Sequence, residues 1–146
     1  TPFSIHRESW KGNTMETQAT NTGIIWSELM SRDPEASAKF YEEVVGLASV
    51  PAGEGADNYW ILLADGQPVG GLTGRHPGTN IWPSGGPGGH WVGYFATDDV
   101  ETAALKAEGL GGSVLVGPLD IAGVGTVAVV RDPDEAVFGL FQPSEG

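Results

Sequence analysis

Glu28 and His90 are the two side chains of this sequence best placed to move a proton. Each stands on a predicted strand, where alternate residues share a face. Glu28 shares its face with Trp26 and Met30. His90 shares its face with Val92 and Tyr94. A carboxylate and an imidazole set across a cavity could act as an acid–base pair, or hold a metal together with water. Plainer roles compete: Glu28 accepting hydrogen bonds from neighbouring strands, and His90 marking a strand entrance. Trp26, Trp60, Trp82, Trp91 and Phe138 are a dense aromatic set for 146 residues. Such rings stack on planar ligands and exclude water, although most tryptophans of a small domain are core. Trp26 is the favoured ligand platform, with Trp60 and Phe138 beside it and with Glu28 and Tyr94 fixing polar groups. Trp91 points away from the Val92 face and is expected to pack against its own module's helix. Trp82 is read as a lid or a surface anchor. His6 and His76 are too dispersed to complete a metal-ligand pattern. There is no Gly-x-Ser-x-Gly elbow, no phosphate-binding Gly-x-x-x-x-Gly-Lys loop and no His-Glu-x-x-His.

The elements that must position these residues follow from pattern and punctuation. Ile24 to Met30 alternates as a strand. Asp33 is an N-cap, Pro34 suits the first helical turn, and Gly46 suits the stop. Ala36, Phe40, Tyr41, Val44 and Val45 form the apolar stripe of the helix between them. Tyr59 to Leu63 and Gln67 to Leu72 are strands joined by the turn signal Asp65-Gly66. The stretch from Thr73 to Gly89 is too rich in Gly and Pro for a regular element and reads as a linker. His90 to Ala96 begins a second series. Asp99 caps a helix running through Ala107, and Ser113 to Val116, Gly125 to Arg131 and Ala136 to Gln142 are strands.

The second series repeats the first. Asp33-Pro34-Glu35-Ala36 and Asp99-Val100-Glu101-Thr102 open the two helices 66 residues apart. Val69-Gly70-Gly71-Leu72 and Val137-Phe138-Gly139-Leu140 are 68 residues apart. Two similar units in one short chain suggest a pseudo-twofold architecture with a cavity between them.

With these pieces in order, the chain resembles the vicinal oxygen chelate superfamily, which includes glyoxalase I, bleomycin-resistance proteins and extradiol dioxygenases. The resemblance rests on Trp26-Ser-Glu-Leu-Met-Ser-Arg-Asp33-Pro-Glu-Ala36, Phe40-Tyr41, Val69-Gly-Gly-Leu72, Trp91-Val-Gly-Tyr94, Asp98-Asp-Val100, Leu110-Gly-Gly112, Gly117-Pro118 and Asp132-Pro133. It spans about Gly23 to Pro143. It implies an α+β fold of two βαβββ modules, each curling a sheet around half of a shared cavity, and frequent dimers. The expected organisation is a tail over 1–22, then one glyoxalase-like domain over 23–146, with module one at 23–72, the linker at 73–89 and module two at 90–143. Two positions depart from the family pattern: Thr126, where an Arg commonly follows the glycine, and Glu135, where Gly commonly follows Asp-Pro-x.

Metal-dependent members of that superfamily place His, Gln or Glu at four inward positions, one on the first and last strand of each module. Counted from Asp33, Asp99 and Asp132 and from the repeat offset, these positions fall on Trp26, Gly71, Val92 and Gly139. None has a side-chain donor suited to a divalent cation. The expectation is no metal and no other cofactor, with the register as the condition on which it depends.

Bulk properties exclude other classes. The formal charge of −12, from 7 basic and 19 acidic residues, leaves no basic footprint for nucleic acid. No apolar run is long enough to cross a membrane. With no cysteine there is neither disulfide nor thiolate chemistry. A cytoplasmic homodimer is the default expectation. Thr1 to Thr22 lacks periodicity; Met15 could be a natural start behind an added extension, or Phe3, Ile5 and Trp10 could pack on a partner subunit. The leading expectation is a protein that binds a small, partly aromatic organic molecule, as in sequestration of an antibiotic or metabolite. The alternative is a lyase or isomerase of glyoxalase type using Glu28 as acid/base or a non-standard metal site with His90.

Overall fold

The computed structural model describes residues 23–53, 58–74 and 88–144. The expectations for the tail, His6, His76 and Trp82 lie outside the described residues. Eight strands form one sheet in the order β2-β3-β4-β1-β5-β8-β7-β6. They are β1 (Ile24–Met30), β2 (Ala48–Pro51), β3 (Tyr59–Ala64), β4 (Gln67–Thr73), β5 (His90–Ala96), β6 (Ser113–Ile121), β7 (Gly125–Arg131) and β8 (Val137–Pro143). The helices α1 (Pro34–Val45) and α2 (Val100–Gly109) each follow the first strand of a module. The fold is the expected α+β pair of βαβββ modules.

The sheet order mirrors about its centre. There β1 and β5 run antiparallel, and each pairs on its outer side with the last strand of its own module, β4 or β8, in parallel. A strand and its repeat equivalent thus lie side by side at the middle of the sheet. The register centres on Ser27 and Gly93, so a residue one position along β1, such as Glu28, lies diagonally across from its repeat counterpart on β5, Tyr94.

Both helix starts are built as their caps predict. Asp33 Oδ1 accepts from the Ala36 amide at 3.2 Å, and Asp99 Oδ1 accepts from the Thr102 amide at 3.0 Å. Gly46 closes α1 with φ 77°, a left-handed conformation that glycine adopts without a Cβ penalty. The α1 stripe is corrected by one position. Ala38 and Tyr41 pack on the sheet, whereas Phe40 and Val44 are 57% and 61% exposed. The helical period is centred on Tyr41, so Phe40 falls on its outer flank. Several further boundaries differ from expectation. The short edge strand β2 has no sequence signature, β6 runs on through Pro118 to Ile121, and Thr73 belongs to β4.

Side chains on the two faces of the sheet make separate cores. On the helix side, Leu29, Leu62 and Leu72 pack with Trp60 under α1, and Val100, Ala128, Val130 and Leu140 pack with Phe138 under α2. On the curved inner face Met30, Val92, Tyr94, Val127 and Val129 form a third cluster, joined by Trp26 and Phe141. Among the described residues no helix is long and apolar enough to cross a membrane.

Candidate functional site

Glu28 sits on this inner face, near the middle of the central strand. Its Cα neighbours across the ladders are Gly71 on β4 and Val92 on β5. It is 2% exposed, a rare state for a carboxyl unless polar partners come with it. Two phenols supply them. Tyr59 donates its hydroxyl proton to Glu28 Oε2 at 2.8 Å, and Tyr94 donates to Oε1 at 3.3 Å. Trp26 donates its indole N–H to the Tyr59 oxygen at 3.2 Å. That contact occupies a lone pair of the phenol and leaves its own proton free to point at Glu28. The chain from Trp26 through Tyr59 to Glu28, met by Tyr94 from the other module, has every donor directed toward one carboxyl group.

Two glycines make room for this cluster. A Cβ on Gly71 would overlap the Tyr59 hydroxyl, and a Cβ on Gly139, the Cα partner of Tyr94, would overlap the Tyr94 ring. The tyrosines therefore lie across the strands that end each module, in the space a side chain at either position would take. Tyr59 is held at the head of β3 by its neighbour. Asn58 has φ 63°, and its carbonyl oxygen accepts from the hydroxyl of Thr73, itself buried, at 2.8 Å.

The electrostatics follow from burial. Loss of water pushes the Glu28 carboxyl up from its ordinary value to about 7, and the Tyr59 and Tyr94 hydrogen bonds pull in the opposite direction without restoring it. The two phenols are pushed well above their usual range, first by burial and next by the charge of Glu28. They are donors that keep their protons, while Glu28 exchanges its own near neutrality.

Of the expected site residues, the structure brings Trp26, Glu28 and Tyr94 together. His90 stands opposite Met30 rather than Glu28, and its Nδ1 lies 3.1 Å from the Gly88 carbonyl oxygen. Both Glu28 oxygens are taken by phenols, so the expected Glu28–His90 pair is replaced by a Glu28–tyrosine pair. The placement of Trp60 and Phe138 is corrected. Trp60 follows Tyr59 and so points to the other face, into the α1 core; Phe138 precedes Gly139 and meets Phe95 edge-on at 5.8 Å on the α2 side. The helix expected for Trp91 is corrected: its N–H donates to the Tyr41 hydroxyl at 3.2 Å on the helix of module one, because β5 lies beside β1 in the sheet. Tyr59 is the residue that sequence reasoning passed over. The signal was present: it is one residue from Trp60, and a strand ladder paired with Gly71 leaves one of the two rings facing an empty position.

The donor set does not suit the divalent cation of the metal-dependent relatives. Trp26, Gly71, Val92 and Gly139 offer no ligand, and among the described residues no three His, Cys, Asp or Glu side chains gather. The departures from the family pattern are both accommodated. Thr126 donates to Asp120 across β6 and β7 at 2.7 Å, and Glu135 adopts φ 69° in the turn before β8.

A sequence model of the glyoxalase/bleomycin resistance protein/dioxygenase superfamily matches residues 23–140. The chain belongs to this superfamily. It is 38% identical over 142 residues to a Mycobacterium bovis protein named as a glyoxylase, CFP32, covering 92% of this chain and 51% of that one. It is 34% identical over 125 residues to the anthracycline biosynthesis protein DnrV of Streptomyces peucetius, covering 80% of this chain and 46% of the relative. The chain thus spans about half the length of these superfamily members. In fold it is similar to the Mn(II)-bound glyoxalase of Novosphingobium aromaticivorans, with a TM-score of 0.53 at 24% identity over 84% of this chain and 39% of that one.

Proposed function

We propose that this superfamily member binds a small, partly aromatic organic molecule against the inner face of its sheet, with Glu28 as the polar anchor and without the family's usual metal centre. One observation carries the reading: a carboxyl group 2% exposed takes its hydrogen bonds from two phenols at the position where the sheet's two halves meet. Such a cluster has little value for stability alone, because an apolar side chain would fill the same place without the desolvation cost. Trp26 and Tyr59 are only half buried and provide the aromatic approach to it. The relative named for anthracycline biosynthesis, a class of fused aromatic rings, supports a ligand of this chemistry.

The test is a thermal-shift series of polycyclic aromatic compounds, read against Trp26→Ala. A ligand at one hundred times its Kd stabilises the folded state by about 2.7 kcal/mol, a readily measured rise in Tm. The expected result is a rise in the parent protein that Trp26→Ala loses. A series in which no compound raises Tm defeats the reading.

A second reading is a lyase or isomerase of glyoxalase type, favoured by the near-neutral proton affinity of Glu28. Glu28→Gln separates the two. Turnover collapses in an enzyme, whereas a binder of uncharged molecules keeps most of its affinity.

A further inference from the structure

The geometry points to Tyr59 and Tyr94 as a paired oxyanion site that works with Glu28 on an enolisable carbonyl compound, so that two phenols stabilise the developing negative charge with no metal ion in the site. The inference rests on the reading that a small molecule reaches Glu28, and it adds the substrate class and a role for each hydroxyl.

Three observations support it. The hydroxyls approach different oxygens of Glu28, at 2.8 and 3.3 Å, so they straddle the carboxyl instead of crowding one side. Their rings occupy the space over Gly71 and Gly139, so the phenols physically replace side chains that could otherwise reach inward from β4 and β8. Tyr59 is also fixed in direction by the Trp26 N–H, which makes Trp26 a positioning residue. Donors held in place in a water-poor site stabilise new negative charge strongly, and here the rings are already in position so that only the hydroxyl protons reorient.

The step balances in protons and electrons. The Glu28 carboxylate takes a proton from the carbon next to the ligand carbonyl, and the C–H bonding pair becomes the enolate. Negative charge has then moved from Glu28 to the ligand oxygen. Each phenol O–H turns about its C–O bond from the neutralised carboxyl to that oxygen, with the ring staying in place. Glu28 returns the proton to carbon, at the same atom or an adjacent one, and the phenols turn back. Nothing is oxidised and no co-reactant is consumed.

4-Nitrophenol tests the assignment, since it offers an acidic proton, an oxyanion like an enolate and a colour change on ionisation. At a pH just below its own ionisation it should bind the intact protein as the yellow phenolate, its proton held by Glu28, and a chelator should leave binding unchanged. Tyr59→Phe and Tyr94→Phe should each weaken phenolate binding roughly tenfold or more, the usual scale for a hydrogen bond to a charged group. In Glu28→Gln the probe should bind as phenolate only where it is already ionised in solution. Circular dichroism establishes that each variant is folded, and half-buried Tyr59 carries the test if Tyr94→Phe fails to fold. Binding as the neutral phenol, or binding indifferent to both tyrosine variants, overturns the oxyanion assignment and leaves the binding reading intact. Failure of nitrophenol where other aromatic compounds bind overturns the assignment alone. Failure of every compound overturns both.

Discussion

Tyr94 donates to Glu28 across exactly the interval of the internal repeat: the two residues are 66 positions apart, and their oxygens lie 3.3 Å apart. They are the same place in the two modules, brought together because β1 and β5 run antiparallel at the middle of the sheet. A faithful repeat would set two carboxyls against each other there, and two buried like charges raise each other's proton affinity steeply. A phenol in module two gives the carboxyl of module one a donor instead. The divergence of the halves at this one pair creates a directional polar centre. Beside it, Val127 and Val129 of module two pack in one apolar cluster with Tyr94.

The Glu28 carboxyl makes stability fall as pH rises. Its folded-state value of about 7 lies above its ordinary 4.5, so the folded protein holds a proton that the unfolded chain has released. The contribution is fully present below about 4.5 and is lost as pH climbs to about 7. A shift of that size corresponds to ~3 kcal/mol. Glu28→Gln cannot lose the proton and should be the more stable protein at pH 8, with the gap closing toward pH 4. Urea denaturation of both proteins across this range measures the difference and cancels the other carboxylates they share. A gap that does not change with pH would show that Glu28 titrates alike in both states.

Removing either phenol should push the Glu28 carboxyl above about 7, since both hydrogen bonds favour the carboxylate. Tyr59→Phe should have the larger effect, because its bond is the shorter at 2.8 Å. Trp26→Phe should act in the same direction and more weakly, through loss of the N–H that makes Tyr59 a better donor. Carbon-13 NMR titration of the glutamate side-chain carboxyls reads all three. An unchanged Glu28 midpoint in Tyr59→Phe would mean that burial alone sets it.

Much of this was legible in the chain because caps, turns and the repeat are local. Asp33, Asp99, Asp65-Gly66 and the two Gly-Leu pairs of β4 and β8 are each written within a few residues. Glu28 and its face-mate Trp26, like Tyr94 beside Val92, follow from the alternation of the two first strands. The errors arose where one residue of register decides a face. Trp60 and Phe138 were placed on the inner side, yet they neighbour Tyr59 and Gly139, the residues that actually face inward. The reach of the Tyr59 ring over Gly71 depends on the exact register of the β3–β4 hairpin, which the Asp65-Gly66 turn signal does not fix to the residue.

Divalent metals should leave the protein unchanged. A stable site needs several oxygen or nitrogen donors, and Glu28 is the one carboxylate at the centre of the described inner face. Elemental mass spectrometry after supplying Mn, Fe, Co, Ni and Zn should find no stoichiometric ion, and Tm should not rise. One metal per chain that is lost in Glu28→Gln would establish a non-standard site and shift the mechanism to metal-assisted chemistry.

The two glycines under the tyrosines should respond differently to the same added methyl group. Gly139→Ala presses a Cβ into the Tyr94 ring, which is 2% exposed and has no room to retreat. Overpacking of this kind costs ~1–3 kcal/mol. Gly71→Ala presses instead on the far end of Tyr59, which is half buried and can swing toward solvent. Its stability cost should stay below ~1 kcal/mol, partly offset because alanine reduces the freedom of the unfolded strand. The chemical consequence runs the other way. A displaced Tyr59 leaves Oε2 of Glu28 without its 2.8 Å donor, so the carboxyl should titrate above about 7 in Gly71→Ala. Urea denaturation paired with the carbon-13 titration distinguishes the effects. Equal stability losses, with Glu28 unmoved in Gly71→Ala, would mean that Tyr59 is held over the strand more firmly than its half exposure implies.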